Sequence, residues 1–338
     1  MPWPRRRSAG PPATSQHQYL TIVAFVVGSI AVTRLFVHGL DGFNLESEWL
    51  IFTIADLGFY LIFCIAGRFA FCQTLMMALG AYTSANVVQH HAFWIALVAG
   101  VGVAAVFALL LGMALSRTED FLFAVGTLAV AQLSNTVFVQ WTSFTGPGGL
   151  TSSVPYLSFF GTALMGGQGE IWFILACAAL VLVICAFFER SPVVRELVAA
   201  RELPDVTQAL GIRIRPIQVA IFVVGSAFGG LAGVLFAFQQ GSVSSDSFNL
   251  TLGIGLLLMP IIGGMGSMWG PVVGALLYVE LPQLLSSLSR FAPLAYGIAL
   301  LVIVLAFPEG LLGIVRACRR RLLSRRNVKT LGRTDAGR

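Results

Sequence analysis

Residues 250–281, LTLGIGLLLMPIIGGMGSMWGPVVGALLYVEL, decide how this chain is folded. The stretch is apolar throughout and too long for one bilayer crossing, for which about 20 residues suffice. Gly263, Gly264, Gly266 and Gly270 interrupt it, with Ser267 between. Read as one helix, it gives the chain an odd number of crossings. Read as two short spans, or as a re-entrant pair turning at the glycines, it gives an even number. Further apolar runs of spanning length lie at 20–37, 49–66, 69–88, 92–115, 121–140, 171–188, 217–239 and 294–308. Hydrophobic residues make up 57% of the chain and charged residues 11%, with mean hydropathy +0.85. Soluble domains are about 25% charged. The expected fold is all-α, a polytopic integral membrane protein of about eight to ten transmembrane helices.

Charge placement chooses between odd and even. Arg5, Arg6 and Arg7 precede the first span, five arginines lie in 189–217, and eight arginines with Lys329 follow from 316 onward. Together they are most of the 21 basic residues. The positive-inside rule places all three regions in the cytoplasm, so the crossings are even and the chain turns back at the glycine break. The first external loop is expected to carry Asp41, Glu46 and Glu48. The organisation is then a basic cytoplasmic tail at 1–18, a membrane domain at 19–315 and a second basic cytoplasmic tail at 316–338. The sequence pI near 9.4 follows from this topology and from anionic lipid, not from nucleic acid.

The charge-dense interruption at 189–217, ERSPVVRELVAARELPDVTQALGIRIRPI, reads as two short water-side helices. Val194, Leu197 and Val198 share one face of the first. Pro204 stops it, Asp205 and Gln208 resemble a capping box, and Gly211 ends the second. A short capped helix of this kind suits docking onto a partner protein, with an ordinary hydrophilic loop as the other reading.

Several chemistries are excluded. The chain has one lysine, Lys329, preceded by Val328, so it has no G-x-x-x-x-G-K-[ST] phosphate loop. None of His17, His38, His90 and His91 forms an H-E-x-x-H pair, and no metal site is expected. The five cysteines make no C-x-x-C pair, and no G-x-S-x-G elbow occurs. An enzyme is not indicated.

What remains are polar residues within spans. Asp56 is either a proton or solute contact or the partner of a helix-packing hydrogen bond. Thr127 and Gln132, with Ser134 and Asn135, line an uncharged polar path or bond neighbouring helices. The break at Gly263, Gly264 and Gly266 either lines a solute cavity or is a tight structural turn. Gly225, Gly229 and Gly233, with Gly230 beside them, form a small-residue stripe for close helix packing. The Gly- and Pro-rich stretch at 141–155, WTSFTGPGGLTSSVP, excludes a regular helix.

Several of these stretches, in order, resemble the LivM-like permease family of branched-chain amino-acid ABC importers. They are TGPGGL (145–150), ARELPDVTQALGI (200–212), FGGLAGVLFAF (228–238), SSDSFNLTLGIGLLLMPIIGGMGSMWGPVVGALL (244–277) and YGIALLVIVLAFPEGLLG (296–313). The resemblance runs from about residue 50 to 315 and implies a permease subunit in a bacterial inner membrane. It implies a second homologous permease, two cytosolic ATPases that hold the ATP and Mg, and an extracytoplasmic solute-binding protein. This chain itself would bind no cofactor. By the same resemblance Glu202, Asp205, Ala209, Leu210 and Gly211 form the coupling helix that docks on an ATPase, and 141–155 helps to receive the binding protein. The chain departs from the family at Arg68, Ala70 and Cys72, at Gln132 where an acidic residue is common, and at Gly255. The expected solutes are therefore branched-chain or related amino acids, with urea, short amides or another small polar solute as the alternative. A self-sufficient channel or secondary transporter is a further one.

Overall fold

The computed structural model describes residues 40–152, 168–192, 214–285 and 292–306, together with 154, 158–159, 162–163, 194, 197, 310, 311 and 313. Nine longer helices are described: α1 Leu40–Tyr60, α2 Gln73–Val87, α3 Phe93–Leu115, α4 Asp120–Gln140, α5 Gln168–Arg190, α6 Ile214–Gln240, α7 Leu250–Gly263, α8 Trp269–Leu285 and α9 Ala292–Ala306. Five of the described helices are long and apolar enough to cross a membrane. The expected span at 20–37 and both tails lie outside the described residues.

Most bounds follow the hydropathy reading, and three details differ. Helix α1 begins at Leu40, so Glu46 and Glu48 stand inside a helix and not in a loop before it. At its far end one π turn, Leu61–Ile65, follows. Gly67, with φ +76°, then turns the chain, which is why α2 starts at Gln73 and not near 69. The third difference is a little β structure. Strand β1 (Leu150–Ser152) pairs antiparallel with β4 (Ser242–Ser244), and β2 (Ser158–Phe159) with β3 (Thr162–Ala163). These ladders lie between the helices, where backbone outside a helix must find partners.

The long stretch at 250–281 is two helices. Asn249 caps α7 by accepting a hydrogen bond from the Leu252 N–H at 3.0 Å. Gly264, with φ +119°, ends it, its N–H donating to Pro260 O at 2.9 Å. Only glycine takes that conformation readily. A Cβ on Gly263 would overlap the Gly270 carbonyl, and one on Gly274 the Met259 carbonyl. The two helices therefore fold back against each other backbone to backbone. Gly310 (φ +72°) packs on Gly264 in the same way. The faint likeness between 67–82 and 264–278 has a counterpart, since each opens on a left-handed glycine between two helices.

Helix α6 is the hub, packing most extensively against α2, α3 and α1. The stripe expected for close packing forms these contacts. A Cβ on Gly233 would overlap the Met77 carbonyl, and one on Gly225 would lie 2.5 Å from Gly58 O. A Cβ on Gly230 would lie 2.5 Å from the Ala104 Cβ, and one on Gly80 would overlap the Gly230 carbonyl. The apolar core gathers around this hub, with Tyr60, Phe123, Tyr82 and Phe238 among its largest buried side chains.

Where lipid supplies no hydrophobic drive between helices, such contacts hold the bundle. Gly233→Val is expected to destabilise the protein by about 3 kcal/mol through overpacking. Gly102→Ala has no atom within 4 Å of its new Cβ and should leave stability unchanged or slightly raised. Thermal denaturation in detergent, followed by size-exclusion recovery, checks both.

Candidate functional site

The bundle has two chemically distinct ends. One holds the turn after α1, the α3–α4 connection, the end of α5 and the start of α6. All four arginines among the described residues, Arg68, Arg117, Arg190 and Arg215, are there. Tyr60 Oη donates to Glu189 Oε1 at 2.6 Å, tying α1 to α5. Arg68 is buried and clasps the α3–α4 connection. Its Nη1 donates to Leu115 O at 3.4 Å, its Nε stands 3.7 Å from Asp120 Oδ1, and its guanidinium lies 4.8 Å over the Phe123 ring. Burial pulls the guanidinium below its ordinary range, with Asp120 opposing and Arg215 adding to the shift.

The other end is held by neutral hydrogen bonds. Tyr82 Oη donates to Gly149 O at 2.5 Å, and Asn86 Nδ2 to Phe144 O at 2.7 Å. Thr145 Oγ1 donates to Trp141 O at 2.8 Å, and Thr151 Oγ1 to Thr145 O at 2.8 Å. Gly146, Gly148 and Gly149 all have positive φ, so 141–152 is a short helical turn, a 3₁₀ turn and then β1, in keeping with its Gly and Pro content.

The candidate pathway residues fall in three places. Thr127 is buried on α4, accepting the Phe71 N–H at 3.2 Å and donating to Ala124 O at 2.9 Å. Ser134 bonds back to Ala131 O at 2.6 Å, and Asn135 Nδ2 reaches Ser245 O at 3.1 Å. Gln132 differs from all of these in being exposed. It lies about 18 Å along α4, near the middle of the span. Thr136 and Gln140, at i+4 and i+8, are exposed on the same side. Five residues separate Thr127 from Gln132, which puts them on nearly opposite faces. Gly263 and Gly264 form the hairpin turn described above, with Gly266 in the same loop. Asp56 lies elsewhere, on α1: it is fully buried, and neither carboxylate oxygen has a hydrogen-bond partner. The coupling candidates Glu202, Asp205, Ala209, Leu210 and Gly211 lie outside the described residues. Val194 and Leu197, on the predicted face of the preceding helix, are buried.

Three further residues, Phe52, Tyr278 and Tyr296, were not singled out in the sequence, because aromatics within apolar spans carry no periodic signal of their own. The Tyr278 ring meets Phe52 edge to face at 5.7 Å and Tyr296 at 6.4 Å. It covers Gly255, where an added Cβ would lie 2.6 Å from the ring. Among the described residues no group of His, Cys, Asp and Glu could hold a metal ion.

The model of one protein family, described as the permease component of branched-chain amino acid transport systems, matches residues 43–307. The chain is similar to the high-affinity branched-chain amino acid transport system permease protein LivM of Escherichia coli K12. They are 29% identical over 326 residues, covering 88% of this chain and 76% of that one. It is also similar to the corresponding LivH permease protein of Escherichia coli K12, at 26% over 296 residues, 81% of this chain and 94% of the other. A LivM described as a probable branched-chain amino acid transport permease protein, from Methanocaldococcus jannaschii, is 29% identical over 178 residues, 47% of this chain and 51% of its own. No solved structure matches.

Replacing Arg68 by Met removes a charged donor to a buried carbonyl and should cost about 1–3 kcal/mol. Arg68→Lys is expected to recover little of this, since an ammonium lacks the planar fork. Melting temperatures of the three proteins in one detergent test the clasp.

Proposed function

The chain belongs to the family of permease components of branched-chain amino acid transport systems, and is a multi-pass membrane transport subunit and not an enzyme; from that premise we propose how it is assembled and driven. It pairs with a second homologous permease and two cytosolic ATPases that hold ATP and Mg, and receives solute from an extracytoplasmic binding protein. The arginine end faces the cytoplasm, as the positive-inside rule requires of a bacterial inner-membrane protein. Both termini lie on that side. The segment between α5 and α6 leaves and re-enters the bundle there, which suits the 205–211 helix to receive the ATPase stroke. The solute is a branched-chain or related amino acid, with urea or a short amide as the alternative.

One observation carries the location of the path. An amide exposed at mid-span is costly in hydrocarbon, so polar side chains at that depth face protein or a wet cavity. The Gln132–Thr136–Gln140 stripe of α4 meets that condition, and α4 is the least buried of the long apolar helices. We place the translocation path along this stripe, where the second permease covers it. Uncharged donors and acceptors there suit a zwitterion or neutral polar solute, with no net charge to trap it.

Two outcomes are expected. In a background without native cysteines, Gln132→Cys should react with a membrane-impermeant thiol reagent in the assembled transporter. Modification only by a lipid-soluble reagent would place this face in the bilayer. Leu210→Asp should leave the permease folded and expressed while ATPase recovery in pull-down and solute uptake both fall about tenfold or more. Normal uptake at normal expression would refute the coupling role, and solute movement by the chain alone in liposomes would point to a self-sufficient transporter.

A further inference from the structure

Helix α1 carries two acids that its fold leaves without a positive partner. Glu48, Phe52 and Asp56 stand at i, i+4 and i+8 and so form one stripe. Asp56 is fully buried, and both its carboxylate oxygens are unpartnered. Glu48 is half-buried, has no ion pair within the described residues, and lies within electrostatic reach of the Tyr278 phenol. The Tyr296 hydroxyl is buried with no hydrogen-bond partner. No basic side chain among the described residues approaches this stripe, since all four arginines are gathered at the other end of the bundle. A carboxylate at membrane depth needs a compensating charge. The stripe therefore calls for a cation from outside the described chain.

The surrounding groups select its kind. Phe52, Tyr278 and Tyr296 present ring faces and edges packed against one another, and aromatic faces attract organic ammonium groups. A hard metal ion needs six or more oxygens close together. Glu48 and Asp56 are instead about 12 Å apart along the helix, too far to share one ion. Gly255 is what admits the Tyr278 ring, because any side chain there would collide with it. We propose that Glu48 and Asp56, with Phe52, Tyr278 and Tyr296, form a two-position site for a primary ammonium, the amino end of an amino-acid solute. This rests on the transport reading above. It favours amino acids over urea and amides, whose nitrogens carry no charge.

The test uses the full-length protein purified in mild detergent, with isopentylammonium and 4-methylpentanoate as separate probes. These are the amine and the carboxylate on closely matched branched chains. A ligand that binds the native state raises its melting temperature. The amine is expected to raise it and the carboxylate not. Glu48→Gln and Asp56→Asn should each weaken the amine's effect about tenfold, the loss of one charge-assisted bond. An undiminished amine effect in both variants, or an equal effect of the carboxylate, overturns the proposal. Should Asp56→Asn fold poorly, Glu48→Gln at its half-buried position carries the test alone.

A lipid headgroup supplies the same chemistry. Amine affinity suppressed in phosphatidylethanolamine nanodiscs but not in phosphatidylcholine ones would assign the site to lipid and overturn the solute assignment. A KM for amino-acid uptake raised in Glu48→Gln, with no such lipid effect, supports the solute. If the wild type failed to transport at all, the transport reading would fall while the amine-binding measurement still stood on its own.

Discussion

Gly233 of α6 rests on the Met77 carbonyl of α2 with no room for a Cβ between them, and the rest of the bundle is arranged around that approach. Between apolar helices in lipid, burial gives little net drive, so stability comes from packing and from paired polar groups. Four glycines on one helix bring three neighbours to backbone contact. Gln73 reinforces the seam from within, its Nε2 donating to Ala55 O and Gly225 O at 3.1 Å each. One buried amide thus ties α2 to α1 and α6 at the point where their backbones converge.

The polar residues within this bundle divide by whether the fold satisfies them. Thr127, Ser134, Asn135, Asn86 and Tyr82 all reach backbone carbonyls or amides, and their role is to hold helices and loops in place. Gln132 and Asp56 are treated differently. The first is turned outward at mid-span and the second is enclosed without a partner. A polar group left unmatched in a membrane domain is costly. These two positions are where the structure leaves room for something other than its own side chains, a partner surface at one and a cation at the other.

The two ends follow the same division. The arginine end is fastened by charged groups, Arg68 to Asp120 and Tyr60 to Glu189, and the opposite end by glycine-shaped turns and neutral hydrogen bonds. A transporter that is driven from one side and loaded from the other has reason to differ in this way. Charge-assisted contacts resist a mechanical load, while a platform of short turns and β ladders fixes a docking shape without fixed charge.

The sequence by itself determined the membrane class, nearly every span, the glycine hairpin and the packing stripe, because hydropathy, glycine spacing and capping are local. Phe93–Leu115 and Asp120–Gln140 fall within a residue of the expected 92–115 and 121–140. Helical period alone could also have separated Thr127 from Gln132, which lie on nearly opposite faces of one helix. The start of α1 was not legible, since Glu46 and Glu48 look like loop acids until the fold surrounds them. Only the tertiary structure decided which polar groups are paired. Asn135 finds its carbonyl 110 residues away, Gln73 one of its own 152 away, and Leu150 pairs with Ser244. Asp56 finds none. Such pairings depend on which helix faces which, and that is set by the backbone contacts of α6 and not by any pattern within a single span.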